Sequence, residues 1–299
     1  AAGVNVLEFN PINPLTAQAG WDVNQRDHRK LLIVDGRVAF LGGINISSVY
    51  SSSAFSKRPK RPKRQSPQGK LPWRDTQVEL EGPVVADFQR LFLGTWAKQN
   101  GDALAPRRYF PTLAAQGKEI VRAIGSSPDE PYSLMYATLI SAIRSAETSV
   151  HLTFAYFAPD KQMLRALEAT AARGVDVRII LPSTTDSGLV FNAGRSYYTE
   201  LLRAGVKIYE LRDALLHAKT AVIDDVWSTI GSTNLDWRSF LHNDEINAVI
   251  LGPVFGAQMH AVFEADMAAS NRILLDQWEK RPLSLRIKER AARIWAYWL

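Results

Sequence analysis

Two stretches decide the fold: HRKLLIVD at residues 28–35 and HAKTAVID at residues 217–224. Both read H-x-K-x-x-x-x-D. Each continues at the same distances to a glycine and an asparagine, Gly42 and Asn45 in one copy, Gly231 and Asn234 in the other. On a strand, residues i and i+2 share a face. His28 therefore points with Lys30, and His217 with Lys219. Each pair stands at one end of a strand anchored by an apolar run, 31–34 or 220–223. A turn at 35–36 or 224–225 leads to a second strand, which returns Asn45 or Asn234 to the same end.

Working outward, the similarity extends along both halves. Residues 38–42 match 227–231, residues 76–81 match 245–251, and a helix pattern follows each, over about 84–98 and 254–270. Residues 2–6 match 204–208. Internal repeats set the architecture, and here they give two homologous lobes. Before its motif the second half alternates a strand (149–157), a helix (161–173), a strand (174–181), a short helix (196–203) and a strand (206–211). That spacing predicts an α/β unit with a sheet that is parallel in part. Residues 126–203 have no counterpart before residue 2, so the first lobe is expected to lack its opening β/α units. The expected division is 1–110 for the first lobe, 111–125 for a linker, 126–280 for the second lobe and 281–299 for a basic amphipathic tail. Residues 51–70, rich in Ser, Pro, Lys and Arg, read as an insertion in the first lobe.

The chain has 299 residues, a formal net charge of +6 and 46% hydrophobic residues. It can bury a real core, and its positive balance suits a polyanionic partner, either nucleic acid or an anionic membrane. There is no cysteine, which excludes disulfides and cysteine-based zinc sites. No apolar run reaches the 18 residues of a spanning helix, and the first residues lack the pattern of a signal peptide.

Two lobes brought together supply two imidazoles, two ammonium groups and two amides. That set suits a tetrahedral phosphodiester. Lys30, Lys219, Asn45 and Asn234 would stabilise charge on the non-bridging oxygens. One of His28 and His217 would attack phosphorus, and the other would protonate the leaving alkoxide.

The doubled motif with its G-x-x-N element resembles the phospholipase D superfamily over nearly the whole chain. The resemblance implies two phospholipase D-type lobes, each a mixed sheet flanked by helices, with the active site between them. It implies a two-step reaction through a phosphohistidine, with His28 as nucleophile and His217 as acid and then base. It calls for no metal and no cofactor. Family members carry a carboxylate downstream of each motif that orients a histidine ring. Glu245, 11 residues after Asn234, and Asp75, 30 residues after Asn45, fit that position. Asp35 and Asp224 belong to the motif but read as turn or hydrogen-bonding residues rather than proton carriers. The stretches YFAPD (156–160), LHAKTAVIDD (216–225), GSTNLDWRS (231–239) and WRDTQVELEGP (73–83) look like those of bacterial cardiolipin synthases, although many relatives have proline where this chain has Trp237. The implied activity is phosphatidyl transfer between two phosphatidylglycerol molecules. The implied partner is an anionic phospholipid, with peripheral attachment to the cytoplasmic face of the bacterial inner membrane. The alternative is a phosphodiesterase or nuclease on the same fold, and nucleic acid is the less favoured substrate.

Other residues carry less. His151 sits on an apolar strand and reads as a core or pocket-wall histidine. Tyr156, Phe157, Tyr197 and Tyr198 could line a lipid groove or fill the core. Arg195 could meet a headgroup or solvent. The tail, if helical, places Leu283, Ile287, Ala291, Ile294 and Trp298 on one face, suited either to a lipid interface or to packing on the protein itself.

Overall fold

The computed structural model describes residues 3–11, 24–47 and 71–295. The basic insertion at 51–70, Tyr297 and Trp298 lie outside the described residues.

The first half contributes β1 (Arg26–Asp27), β2 (Leu31–Val34), β3 (Val38–Gly42), β4 (Trp73–Arg74), β5 (Gln77–Glu81) and α1 (Val85–Lys98). The second begins with β6 (Ile120–Ser126), α2 (Leu134–Ser145), β7 (Ser149–Phe154), α3 (Lys161–Ala172), β8 (Asp176–Pro182), α4 (Gly188–Arg195), α5 (Tyr198–Arg203) and β9 (Lys207–Leu211). Then follow β10 (Leu215–Leu216), β11 (Lys219–Ile223), β12 (Trp227–Gly231), α6 (Trp237–Leu241), β13 (Asn243–Leu251), α7 (Pro253–Ala268), β14 (Ser270–Ile273), α8 (Leu275–Glu279) and α9 (Leu283–Ile294). The last part of the stretch expected as a linker is thus strand: β6 starts at Ile120 and pairs with β13 over seven residues.

The main sheet runs β1-β13-β12-β11-β7-β8-β9-β14, with β6 also on β13. Its centre, β7-β8-β9, is parallel, because α3 and the α4–α5 pair carry the chain back between strands. Asp160 caps α3, accepting from the Met163 amide at 2.8 Å, and Gly174, at φ 88°, ends it. The strands β11 and β12 turn back antiparallel beside β7. All five residues of β11 are buried, as expected of a central strand covered on both faces.

β2, β3 and β5 form a separate antiparallel sheet. Its Ala39, Leu41, Val78 and Leu80 pack against Val222, Ile230, Ile246 and Ala248 of the main sheet. Each large side chain buried there contributes about 1.5–3 kcal/mol, and this shared core fixes one half of the chain on the other. β2 has a strand partner on one side only among the described residues, and Leu32 and Val34 on it are exposed. Residues 2–6, matched by sequence to β9, form no strand where they are described, and Val4 and Val6 are exposed.

Candidate active site

Two short strand pairs build the site. β1 lies parallel to the start of β13, and the His28 amide donates to the Asp244 carbonyl at 2.9 Å. β4 lies parallel to β10, and the His217 amide donates to the Arg74 carbonyl at 2.8 Å. In each case the histidine is tied to the residue just before a carboxylate of the other half. The carboxylates consequently cross over. Glu245 of the second half receives His28 Nδ1 at 3.0 Å from both of its oxygens. Asp75 of the first half receives His217 Nδ1 at 2.8 Å. Both acids are buried. A carboxylate accepts, so each Nδ1 carries the proton, and Nε2 is the ring nitrogen whose lone pair can act as nucleophile or base. The structure brings each acid to the histidine of the other half, an exchange that the sequence did not show.

Supporting contacts hold the pairs. Asn243 Nδ2 donates to Glu245 Oε1 at 3.2 Å, and the Thr76 amide donates to Asp75 Oδ1 at 2.8 Å. A Cβ on Gly43 would lie 2.1 Å from Asp75 Oδ1, so only glycine admits that carboxylate. Arg74 grips Asp266 of α7 with Nε and Nη2 at 2.7 and 2.8 Å, fixing the residue beside Asp75. Arg29 joins Asp244 at 2.9 Å. The ring of Trp73 meets His217 edge-on at 5.0 Å.

Lys30 donates to the His28 carbonyl at 2.6 Å, and Lys219 donates likewise to the His217 carbonyl. Burial pulls Lys219 down to about 7, with the positive Lys30 adding to the effect and Asp75 and Glu245 opposing it. Burial also lowers Lys30, against the pull of Glu245 and Asp75. His217 is lowered by burial and by both lysines, which together outweigh Asp75. Each group thus feels charges from both halves, so the histidines, lysines and acids form one constellation. A bound phosphodiester anion would draw a proton back to Lys219.

The other expected residues fall differently. Asn234 is buried and its Oδ1 has no hydrogen-bond partner among the described residues, whereas Asn45 is exposed. Asp35 and Asp224 stand at the far ends of β2 and β11 from the histidines, at φ 53° and 52°. Asp224 accepts from the amides of Glu147, Thr148 and Ser149 at 2.8–2.9 Å. Burial opposes its ionisation, but those donors prevail and hold it below the usual carboxylate range. The motif aspartates are therefore not brought to the histidines. Phe157, Tyr197 and Tyr198 are core residues, while Tyr156 bonds Asp186 at 2.7 Å. Arg195 is partly buried: it pairs with Glu210 at 3.3 Å and lies over the rings of Phe191 and Trp278, each centroid 4.9 Å away.

Asp236 escaped sequence reasoning. It caps α6, accepting from the Ser239 amide at 2.7 Å, and Trp237 takes the first helical position, one that suits proline. Burial pushes its carboxyl up to about 6, with Glu245 adding repulsion and the Ser239 and His28 contributions offsetting part of it. An unfolded aspartate titrates near 4. The folded protein therefore holds this proton more tightly between about pH 4 and 6, and stability falls as pH rises through that window. Asp236→Asn keeps a capping side chain and removes the buried charge. It is expected to stabilise the fold at pH 8 by on the order of 1–3 kcal/mol, read as a rise of several degrees in Tm, and to change little at pH 4. An equal shift at both pH values would contradict the buried charge as its cause.

Residues 139–267 match a family model described as "Cardiolipin synthase, PLD-like domain". The cardiolipin synthase of Halalkalibacterium halodurans is 34% identical over 300 residues, 98% of this chain and 56% of that protein. That of Geobacillus kaustophilus is 34% identical over 299 residues, again 98% of this chain and 56% of the relative. The chain spans about half the length of the curated relatives it matches. The crystal structure of Haemophilus influenzae phosphatidylserine synthase superposes with a TM-score of 0.66 at 13% identity, covering 93% of this chain and 71% of that one, a likeness of fold. On these likenesses residues 139–267 form a phospholipase D-like domain of the cardiolipin synthase type, and 98% of the chain is similar to part of the curated cardiolipin synthases.

Proposed function

We propose that the protein is a cardiolipin synthase, with residues 1–110 and 126–280 as its two lobes. The supporting observation is the crossed pairing His28–Glu245 and His217–Asp75, which presents two Nε2 atoms and two ammonium groups in one place. His28 Nε2 attacks the phosphorus of a phosphatidylglycerol. The bond to the glycerol oxygen breaks, and that oxygen takes a proton from Nε2 of protonated His217. Glycerol leaves, and the phosphatidyl group stays on His28. The hydroxyl of a second phosphatidylglycerol then gives its proton to His217 and attacks phosphorus, releasing His28 and forming cardiolipin. Lys30, Lys219, Asn45 and Asn234 are assigned to the non-bridging oxygens. Burial lowers His217, which favours proton release to the leaving group.

Purified protein mixed with phosphatidylglycerol vesicles is expected to yield cardiolipin and glycerol in equal amounts. Phosphatidic acid without cardiolipin would show hydrolysis in place of transfer. Cleavage of DNA with no lipid turnover would sink the lipid assignment altogether.

Peripheral attachment belongs to the same proposal. No helix among the described residues is long and apolar enough to cross a membrane. α9 rests on the protein through Ala292 against Ala158 and Ala193, and Arg293 pairs with Glu200 at 2.8 Å. Its other side leaves Leu283, Ile287, Ile294 and Trp295 each more than half exposed, beside the exposed Arg286 and Arg290. That composition suits the interface of an anionic leaflet, here assigned to the cytoplasmic face. Ile287→Glu is expected to weaken flotation with phosphatidylglycerol vesicles by about tenfold through lost apolar burial while leaving Tm unchanged. Undiminished flotation would count against α9 as the anchor.

A further inference from the structure

A second cluster of histidines lies away from the reaction. His151 on β7 is 2% exposed, and neither ring nitrogen has a hydrogen-bond partner among the described residues. The sequence suggested a satisfied core histidine; the ring is buried but unsatisfied, which costs about 1–3 kcal/mol. A leucine would fill such a place without that cost, so the ring nitrogens need another explanation.

The surroundings supply one. The His151 ring stacks on Phe263 at 4.5 Å and lies 5.3 Å from the ring of His260, both on α7. Asp225, in the turn between β11 and β12, places Oδ1 2.7 Å from His260 Nδ1. One ligand atom from each of His151, Asp225 and His260 lies within 4.8 Å of the other two. These residues come from three separate elements. Their frame is tight: a Cβ on Gly256 of α7 would fall 1.8 Å from the Asp225 carbonyl oxygen. Asp225 also holds a left-handed φ of 53°, next to Asp224 at 52°. The repeat provides an internal control. At the corresponding places the first half has Gly36 for Asp225 and Arg90 for His260. The fold can therefore be built without this cluster.

We propose that His151, Asp225 and His260 form a structural site for a divalent transition metal, with Zn2+ the best match to two imidazoles and a carboxylate. Zinc holds such ligands at about 2.0–2.2 Å, which puts neighbouring ligand atoms about 3.3 Å apart. Asp225 Oδ1 and His260 Nδ1 then part by a few tenths of an ångström, and the proton between them goes to solvent. The fourth position falls to water. The nearby Arg178 is already paired with Asp176 at 2.6 Å and with Glu264 at 3.0 Å. His151 pairs with Val222, three residues along β7 from Phe154, the neighbour of Lys219. The metal would thus sit about 10 Å along the strand from the reacting end. Its effect is to fasten α7 to the sheet, and α7 carries the Asp266 that holds Arg74 beside Asp75.

The test is a titration of chelator-treated protein with Zn2+ against a fluorescent chelator, with Co2+ absorption as a second readout. The expected result is one metal per chain and a rise in Tm on loading. His260→Ala, on the surface side of α7, and Asp225→Asn should each weaken Zn2+ binding by about 100-fold or more, since even outer-shell losses cost 10–100-fold. Both should also abolish the Co2+ ligand-field bands. The double variant His28→Ala, His217→Ala should bind as well as the parent, which separates this site from the reactive histidines. The proposal is overturned if the parent binds no metal, if His260→Ala and Asp225→Asn bind as the parent does, or if the double variant loses binding.

Discussion

His28→Ala is expected to lower cardiolipin formation by on the order of 10^4-fold or more, because the atom that bonds to phosphorus is gone. His217→Ala should be nearly as slow with phosphatidylglycerol but should differ with a nitrophenyl phosphatidyl ester. Nitrophenolate leaves without a proton, so the His217 variant should give a burst of nitrophenol and then stall with a phosphatidyl group on His28. The His28 variant should give no burst. The opposite pattern would exchange the two roles, and unchanged turnover in either variant would end the phosphohistidine scheme.

The second large effect concerns the acids. Asp75→Asn and Glu245→Gln preserve shape and remove the charge that fixes each imidazole tautomer. Each is expected to cost on the order of 10^2–10^4 in kcat, the range seen when an orienting carboxylate is neutralised. The crossed geometry makes their signatures distinct. Glu245→Gln, although in the second half, should slow the burst, because it disturbs His28. Asp75→Asn, in the first half, should spare the nitrophenol burst and shift the pH profile with phosphatidylglycerol, because it disturbs proton transfer by His217. Signatures assigned the other way would mean that each acid serves the histidine of its own half.

Much of this arrangement is legible in the sequence, for identifiable reasons. Residues 38–42 and 227–231 form strands with the bounds read from the pattern, because short apolar runs between turn residues leave few options. β2 and β11 start later than read, at Leu31 and Lys219. The histidines before them bond instead to the opposite half, a long-range contact without local periodicity. The same is true of β1 and β4, two residues each. α4 was not foreseen, since Gly188, Asn192 and Gly194 are poor helix formers. It is held by docking, and a Cβ on Gly194 would lie 2.6 Å from the Phe157 carbonyl oxygen. Asn45 and Asn234 share a spacing but not an environment, because equal spacing fixes strand position and not what covers the end of the strand.

The exchange of acids also bears on how the two halves can change. A duplicated unit ordinarily frees one copy to drift. Here each copy keeps the reagent whose orientation depends on the other, so position 28 is answerable to position 245 and position 217 to position 75. Hybrids that join the first half of one such enzyme to the second half of another would trade both partnerships at once. The heritable unit of chemistry is the pair, and a lone half would hold an acid without its base and a base without its acid.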